Sequence, residues 1–252
     1  MSQSLTWVEP HDSLPDPTLA LDEPAGLVAA GLDLSTTRLE EAYRNGMFPW
    51  FSDGQPVLWW SPDPRMVLYT DEIHISHSLK KKLRQIEKRS ADDVARHWTI
   101  STDLAFDSVM QGCAQRGTDQ AQDTWINPAM FEVYRQWHHL GVAHSIEVWS
   151  NGALVGGLYG VALGRVFCGE SMFSRATDAS KVALVYLARY LQKQSVKLID
   201  CQMQTDHLAR LGARPITRDA FLTHVRAASR QAAPDWLAGQ LAFDGTVTQT
   251  AM

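Results

Sequence analysis

The sequence has few cysteines, no long apolar run and no excess of positive charge. Its 252 residues include only 3 cysteines, Cys113, Cys168 and Cys201. This odd, widely spaced set indicates a reducing compartment rather than a disulfide framework. No apolar run is long enough to cross a bilayer. The formal net charge of -5 excludes a general attraction to nucleic acid or membranes, so a polyanionic partner would need a local basic patch.

The motifs of several common enzyme classes are also missing. The chain has no G-x-S-x-G and no G-x-x-x-x-G-K-[ST], and no histidine forms a recognisable triad with Ser171 or Ser174. His138, His139 and His144 show no paired ligand spacing with the cysteines, so we expect no metal site and no cofactor. The acidic, proline-rich N-terminal segment lacks the apolar core of a secretory signal, and we expect a cytoplasmic location.

The segment before residue 66 predicts a small structural unit. Ser35 is a candidate N-cap for a short helix that places Leu39 and Tyr43 on one face. The run VLWW at 57–60 predicts a strand. SPDPR at 61–65 interrupts regular structure and is a candidate junction between two domains.

A basic helix is predicted after Ser76. Leu79, Leu83 and Ile86 form one apolar stripe. The other face carries Lys80, Lys81, Lys82, Arg84, Lys88 and Arg89. Such a face is most often only solvated, but it also offers several phosphate contacts to RNA.

The second half of the chain changes to a strand pattern. Turn signals at Asn151-Gly152 and Gly164-Arg165 divide residues 144–173 into three predicted antiparallel strands. Residues 178–194 predict a helix that is apolar on most sides, and KLIDCQ at 197–202 predicts a further strand.

Two carboxylates and an amide lie at the ends of these strands. Because side chains alternate along a strand, Asp200 and Gln202 should share a face, and Glu170 should share one with Val166 and Cys168 if its strand is regular. A single carboxylate here is usually a turn or cap residue. Together, beside apolar residues, these groups predict an acidic hollow suited to a cationic ligand.

Three tryptophans near the candidate junction allow two interpretations. Trp50, Trp59 and Trp60 could stack on a base, or they could fill the core of a small domain.

Several segments resemble the bacterial leucyl/phenylalanyl-tRNA–protein transferases. The resemblance extends from about Gly26 to Phe221 and depends most on FPWF, WWSPDPR, FCGESMFS and LIDCQ. It implies an α+β fold, with a small N-terminal α/β domain at 1–64 that contributes to binding of the tRNA 3′ end. A GCN5-related N-acetyltransferase (GNAT)-like domain would follow at 65–252, with a mixed, largely antiparallel sheet flanked by helices.

The resemblance also implies an activity and its partners. The family transfers leucine or phenylalanine, with methionine as a further candidate, from aminoacyl-tRNA to the α-amine of proteins that begin with Lys or Arg. This transfer marks the acceptor for degradation by the N-end rule.

Site residues follow from the same resemblance. The tRNA 3′ adenosine would meet Trp50, Tyr43, Trp125 and Tyr134. The aminoacyl pocket would be lined by Leu158, Phe167, Leu184, Leu187 and Ile199. The catalytic and acceptor-binding polar set would be Glu170, Asp200 and Gln202, and the six basic residues of the predicted helix would contact tRNA.

The chemistry of these residue types agrees with that activity. An aminoacyl ester is already activated, so no covalent enzyme intermediate is needed, and the attacking α-amine must be neutral. We expect Asp200 to orient Gln202, and the pair to position the amine and accept its proton, with help from the substrate as the alternative. Glu170 and Asp200 would attract the cationic first residue of the acceptor.

Two alternatives from other classes remain at this point. An acetyl-CoA-dependent N-acetyltransferase would need amides that approach pyrophosphate, but RATDAS at 175–180 places Asp178 where glycine is expected. A non-catalytic RNA-binding module would use the basic helix and the tryptophans, and it leaves the acidic residues unexplained.

Overall fold

A computed structural model describes residues 4–88, 98–115 and 126–249. Two predicted tRNA-contacting residues, Arg89 and Trp125, lie outside these ranges. The helices are α1 (Thr36–Arg44), α2 (His77–Glu87), α3 (Phe106–Ala114), α4 (Pro128–His139), α5 (Ala179–Lys193), α6 (Asp206–Arg210) and α7 (Arg218–Ala228). The strands are β1 (Thr6–Val8), β2 (Leu27–Gly31), β3 (Phe48–Pro49), β4 (Val57–Trp60), β5 (Arg65–Tyr69), β6 (Trp98–Thr102), β7 (Ala143–Ser150), β8 (Ala153–Leu163), β9 (Val166–Ser174), β10 (Leu198–Asp200), β11 (Arg214–Ile216), β12 (Gly239–Leu241) and β13 (Val247–Thr248).

The strands form two sheets. A four-stranded sheet has the order β1-β2-β4-β3, and a nine-stranded sheet has the order β11-β5-β10-β9-β8-β7-β6-β12-β13. Within the described residues, β1 runs parallel to β2 and β10 runs parallel to β9, whereas the other pairs are antiparallel. The predicted α+β class with a mixed, largely antiparallel sheet is therefore confirmed.

The local sequence signals that start and end these elements are present in the structure. The Ser35 hydroxyl accepts a hydrogen bond from the Arg38 amide, so Ser35 is an N-cap as predicted, and the Ser76 hydroxyl likewise accepts one from the Leu79 amide at the start of the predicted basic helix. Asn151-Gly152 has φ angles of 52° and 76°, as a type I′ hairpin turn requires. This turn joins β7 to β8, and the three predicted antiparallel strands are confirmed.

Two apolar clusters cover the two faces of the large sheet. One contains residues of α1, α3, α4 and α7 together with the small sheet, and the other contains residues of α2 and α5. The first cluster joins Val28 and Trp59, which precede the predicted domain boundary, to Val161 and Phe221, which follow it. The boundary at residue 64 thus separates two sheets but not two cores, and the division into domains stays a prediction.

None of the helices in the described ranges combines the length and the apolar character that crossing a membrane requires.

Candidate active site

A cavity of about 540 Å³ opens beside the strand ends that carry the predicted polar residues. Its apolar wall includes four of the five residues predicted to line an aminoacyl pocket: Leu158, Leu184, Leu187 and Ile199. The fifth, Phe167, is only 1% exposed and packs in the second apolar cluster rather than on the cavity wall. The described wall of the cavity therefore omits Phe167, which corrects this part of the predicted lining.

The polar wall of the same cavity includes Glu170 and Gln202, together with Ser171, Thr205 and His207. The Gln202 side-chain amide donates a hydrogen bond to Glu170 Oε1 at 3.0 Å. Tyr43 donates to the same oxygen at 2.7 Å, and Tyr134 donates to Oε2 at 3.2 Å. The carboxyl group is thus held by three donors from different parts of the chain.

Glu170 occupies a β-bulge in β9. Tyr159 pairs with Ser171 and Gly160 pairs with Gly169, so Glu170 is the extra residue that opposes no partner. Strand β9 is therefore not regular at this point. The carboxyl group of Glu170 nevertheless lies on the same side of the sheet as Cys168, as predicted, because the tyrosines that bind it belong to the same apolar cluster as Cys168. The bulge also explains why Met172, two residues further on, packs against the other cluster.

Burial makes Glu170 a weaker acid than an exposed glutamate. Loss of hydration raises the pKa of this carboxyl to about 7, although the hydrogen bonds from Tyr43 and Gln202 lower it in part and the charge of Asp200 raises it. At neutral pH the group is therefore close to its point of half-ionisation, and it can change charge with a modest change in surroundings.

Tyr43 and Tyr134 are buried beside Glu170. Their side chains are 3% and 0% exposed, and their hydroxyl oxygens lie 2.5 Å apart beside Glu170. Their pKa values are raised well above normal by burial and by the negative charge of Glu170. Neither ring presents an open face for stacking and both hydroxyls hold the carboxyl group, so contact of these residues with the tRNA 3′ adenosine stays a prediction.

Trp50 presents an accessible ring at the cavity. It lines the cavity and is 40% exposed, and it packs at a tilt against Trp60 with ring centroids 5.5 Å apart. Trp59, by contrast, is 1% exposed and belongs to the core. Trp59 therefore fills the core, whereas stacking of Trp50 on a base stays a prediction.

Asp200 does not present a free charge to the cavity. It is 0% exposed, and Arg65 binds both of its carboxylate oxygens, with Nε 2.8 Å from Oδ1 and Nη2 2.7 Å from Oδ2. No sequence signal pointed to Arg65, which is 1% exposed and lies in the segment predicted as a junction. The expectation that Asp200 directly attracts a cation is wrong, since its charge is already neutralised within the protein.

Gln202 departs from the predicted strand geometry. The strand β10 ends at Asp200, and Gln202 has a φ of 60°, so strand alternation does not apply to it. Its backbone amide donates to Asp200 Oδ1 at 2.9 Å. Asp200 therefore contacts Gln202, as predicted, but through the main chain.

The predicted basic helix, α2, has its apolar stripe buried and most of its cations exposed. Lys80, Lys81, Arg84 and Lys88 line a shallow depression of about 360 Å³ on its outer face. Lys82 differs, because its ammonium group lies 3.7 Å from the ring centroid of Trp98. Within the described residues, the exposed basic patch comprises the four cations that line the depression.

A separate cluster of possible metal ligands is occupied by internal hydrogen bonds. Ligand atoms of Asp103, His138 and His144 lie within 4.8 Å of one another. His144 Nδ1 is 2.7 Å from Asp103 Oδ2 and its Nε2 is 3.1 Å from the Gly141 carbonyl oxygen. His138 Nδ1 is 2.8 Å from the Ala143 carbonyl oxygen. The histidines thus serve local structure here, and the expectation of no metal site stays a prediction.

One protein family matches this chain over most of its length. Residues 67–226 match the family model described as leucyl/phenylalanyl-tRNA protein transferase, and residues 32–63 match the model of its N-terminal domain. The chain is 51% identical over 243 residues to a leucyl/phenylalanyl-tRNA–protein transferase of Bordetella petrii, covering 96% of this chain and 95% of that protein. It is also 51% identical over 236 residues to one of Stutzerimonas stutzeri, covering 93% and 100%.

A solved structure of a GCN5-related N-acetyltransferase from Kribbella flavida aligns with a TM-score of 0.35 and 11% identity. The alignment covers 70% of this chain and 59% of that one. This similarity is too low to add to the description of the fold.

Proposed function

The chain belongs to the leucyl/phenylalanyl-tRNA–protein transferase family and is an aminoacyltransferase, and from that premise we propose its substrates. The donor is aminoacyl-tRNA carrying leucine or phenylalanine, with methionine as a further candidate. The acceptor is the α-amine of a protein that begins with Lys or Arg, and the product is marked for N-end-rule degradation. The reaction takes place in the cytoplasm.

The contact between an apolar wall and a single carboxyl group carries this proposal. Leu158, Leu184, Leu187 and Ile199 offer a site for an apolar side chain, and Glu170 and Gln202 lie on the same cavity. One misplaced methylene in such a pocket changes binding by about 1–3 kcal/mol. The cavity therefore suits an apolar aminoacyl group next to a cationic peptide start.

The transfer needs positioning more than it needs a strong base. The neutral α-amine attacks the carbonyl carbon of the ester, the bond from that carbon to the ribose oxygen breaks, and an amine proton ends on the released oxygen. Gln202 can orient the amine but cannot accept its proton at neutral pH. Asp200 is buried and bound by Arg65, so we assign it a positioning role.

The tRNA would be held at two places. Trp50, exposed at the cavity, would stack on the terminal base. The exposed cations of α2, which are Lys80, Lys81, Arg84 and Lys88, would contact phosphates.

A transfer assay tests the proposed function directly. Radiolabelled leucyl-tRNA is incubated with the protein and with paired peptides that differ only in Arg or Ala at the first residue. We expect label in the Arg peptide and little in the Ala peptide. Equal labelling of both peptides would contradict the proposed specificity for the first residue of the acceptor. Binding of leucyl-tRNA without any transfer would favour the RNA-binding alternative.

The basic patch has its own test. Replacing Lys80, Lys81 and Arg84 with Ala should weaken tRNA binding and flatten the dependence of log K on log salt by roughly 0.7–0.9 for each phosphate that is no longer bound. Lys82→Ala is the matched control, because this lysine lies on Trp98, and it should change the slope less. An unchanged slope in the triple variant would show that the patch is only solvated.

The acetyl-CoA alternative is disfavoured by the start of α5. Asp178 is the N-cap residue there, has a φ of 69° and pairs with Lys181 at 2.6 Å. A carboxylate at this position repels a pyrophosphate group that would approach the helix amides. Acetyl-CoA binding measured by calorimetry would revive this alternative.

A further inference from the structure

We propose that Arg65 is a positioning residue for the transfer reaction, because it clamps Asp200 and thereby fixes Gln202 against Glu170 at the cavity wall. This inference rests on the proposed function, in which Gln202 meets the acceptor amine. Arg65 is not among the described residues that line the cavity, so it acts through these neighbours.

The clamp is rigid and enclosed. Arg65 binds both oxygens of Asp200 in the parallel, two-bond geometry that a guanidinium provides and an ammonium does not. Its guanidinium carbon lies 4.7 Å from the ring centroid of Phe48 and 4.5 Å from that of Phe221. The aromatic contacts restrict the guanidinium from turning away from the carboxylate.

The clamp reaches Gln202 through the main chain. Asp200 Oδ1, which Arg65 Nε already binds, also accepts the Gln202 amide proton. The adjacent residue on β5 completes the hold, since the Met66 amide donates to the Gln202 carbonyl oxygen at 3.3 Å. A non-glycine residue with positive φ is disfavoured unless its surroundings fix it, and these bonds fix the backbone of Gln202.

The side chain of Gln202 then points to the reacting centre. Its amide nitrogen lies 3.0 Å from Glu170 Oε1, and both residues line the cavity. A continuous chain of contacts thus runs from Arg65 through Asp200 and Gln202 to Glu170.

Stability alone is a poor explanation for this ion pair. Two charges that are 1% and 0% exposed cost desolvation energy that their attraction offsets only in part, and apolar replacements of such pairs are often neutral or stabilising. Nη1 of Arg65 also finds no hydrogen-bond partner among the described protein atoms. The pair therefore fits a role in fixing geometry.

The first experiment compares Arg65→Met and Arg65→Lys with wild type. Transfer of leucine to an Arg-starting peptide is measured as kcat and KM, with hydrogen exchange of the peptide segment that contains Gln202. We expect Arg65→Met to lower kcat on the order of 100-fold, with no change in KM for leucyl-tRNA and faster exchange at Gln202. Arg65→Lys should recover part of the loss, because it keeps the charge but not the two-bond geometry.

Arg38→Met is the matched control. Arg38 is also a buried arginine, 4% exposed, that pairs with Asp33 and Glu41, but neither it nor its two partners belong to the described lining of the cavity. It should cost stability without lowering kcat or changing Gln202 exchange. A kcat loss in Arg38→Met equal to that in Arg65→Met would overturn the proposal.

A double variant separates positioning from folding. Arg65→Met combined with Asp200→Leu removes both charges and should recover stability, yet kcat should stay low because the Gln202 amide has lost its acceptor. Recovery of kcat together with stability would overturn the proposal. If wild type transfers nothing, the proposed function fails, whereas the exchange of Gln202 still reports whether Arg65 fixes it.

Discussion

Glu170 combines a position on the cavity wall with a pKa near neutrality. Among the described residues that line the cavity it is the carboxyl group, since Asp200 is buried behind it. Its oxygens are held by Tyr43, Tyr134 and Gln202. The negative charge available to the proposed cationic acceptor is therefore carried by one residue whose ionisation depends on pH.

This ionisation predicts a pH-dependent KM. The pKa of Glu170 is raised to about 7, so the carboxylate forms as pH rises through that value. The KM for an Arg-starting peptide should therefore fall between about pH 6 and about pH 8. In Glu170→Gln, KM should be higher, and the part of its pH dependence that comes from ionisation of Glu170 should be absent. The α-amine titrates identically in both enzymes, so the ratio of their KM values isolates Glu170. A constant ratio across this range would contradict the prediction.

Glu147 is a second buried acid, outside the cavity, and it predicts an effect on stability. It is 0% exposed and accepts hydrogen bonds from Ser101 and Ser145, and burial raises its pKa from 4.5 to about 7. A raised folded pKa gives stability that is present below the unfolded value and lost as pH rises through the folded value. The loss amounts to about 3 kcal/mol between these limits.

Glu147→Gln should therefore flatten the fall in the free energy of unfolding between pH 4.5 and about 7. Denaturant titrations at several pH values measure this slope. Glu170 titrates in the same range, so part of the fall should remain in the variant. Identical slopes for the variant and wild type would show that Glu147 does not ionise with this penalty.

At the scale of elements, the sequence predicts features that depend on residues close in the chain better than features that depend on a partner strand. The Asn151-Gly152 turn, the N-cap Ser35 and the helix after Ser76 depend on residues close in the chain, and these predictions are confirmed. The bulge at Glu170 depends on the partner strand, which the sequence of β9 does not contain. Local signals therefore predicted the elements but not their irregularities.

The candidate site divides in the same way. Four residues of its apolar wall and the polar residues Glu170 and Gln202 were expected from the family resemblance, which rests on short motifs that are each contiguous in sequence. The pairing of Arg65 with Asp200 joins residues 135 positions apart and arises only from the order β5-β10-β9 in the sheet. The burial of Tyr43 and Tyr134 likewise depends on α1 and α4 meeting over β9, which no short segment indicates.

The bulge itself predicts an asymmetry between two glycines. A Cβ at Gly160 would lie 2.3 Å from the Cys168 carbonyl oxygen and 2.6 Å from the Phe167 ring, whereas a Cβ at Gly169 meets nothing nearer than 3.6 Å. Gly160→Ala should therefore lower the free energy of unfolding by about 1–3 kcal/mol, and Gly169→Ala should cost much less. Denaturant titration of both variants measures the difference, and equal losses would contradict it.

At the scale of the molecule, the site requires both parts of the chain. Tyr43, in the predicted N-terminal domain, donates to Glu170, and Arg44 donates to the Ser229 carbonyl oxygen at 2.6 Å. One apolar cluster contains residues from both sides of residue 64. Because the core is shared, loosening either part should loosen the position of Glu170.

The shared core predicts that both parts unfold together. Leu222 is 2% exposed and approaches Gly46 so closely that a Cβ there would lie 2.5 Å from it. Leu222→Ala should cost about 2–5 kcal/mol and should speed hydrogen exchange in β4 and β8 by the same factor, since the Leu222 side chain stabilises one cooperative unit. Leu140→Ala, at a site 66% exposed, should change neither. Faster exchange in β4 alone would mean that residues before the boundary unfold independently, and the site would then lose Tyr43 before the large sheet opens.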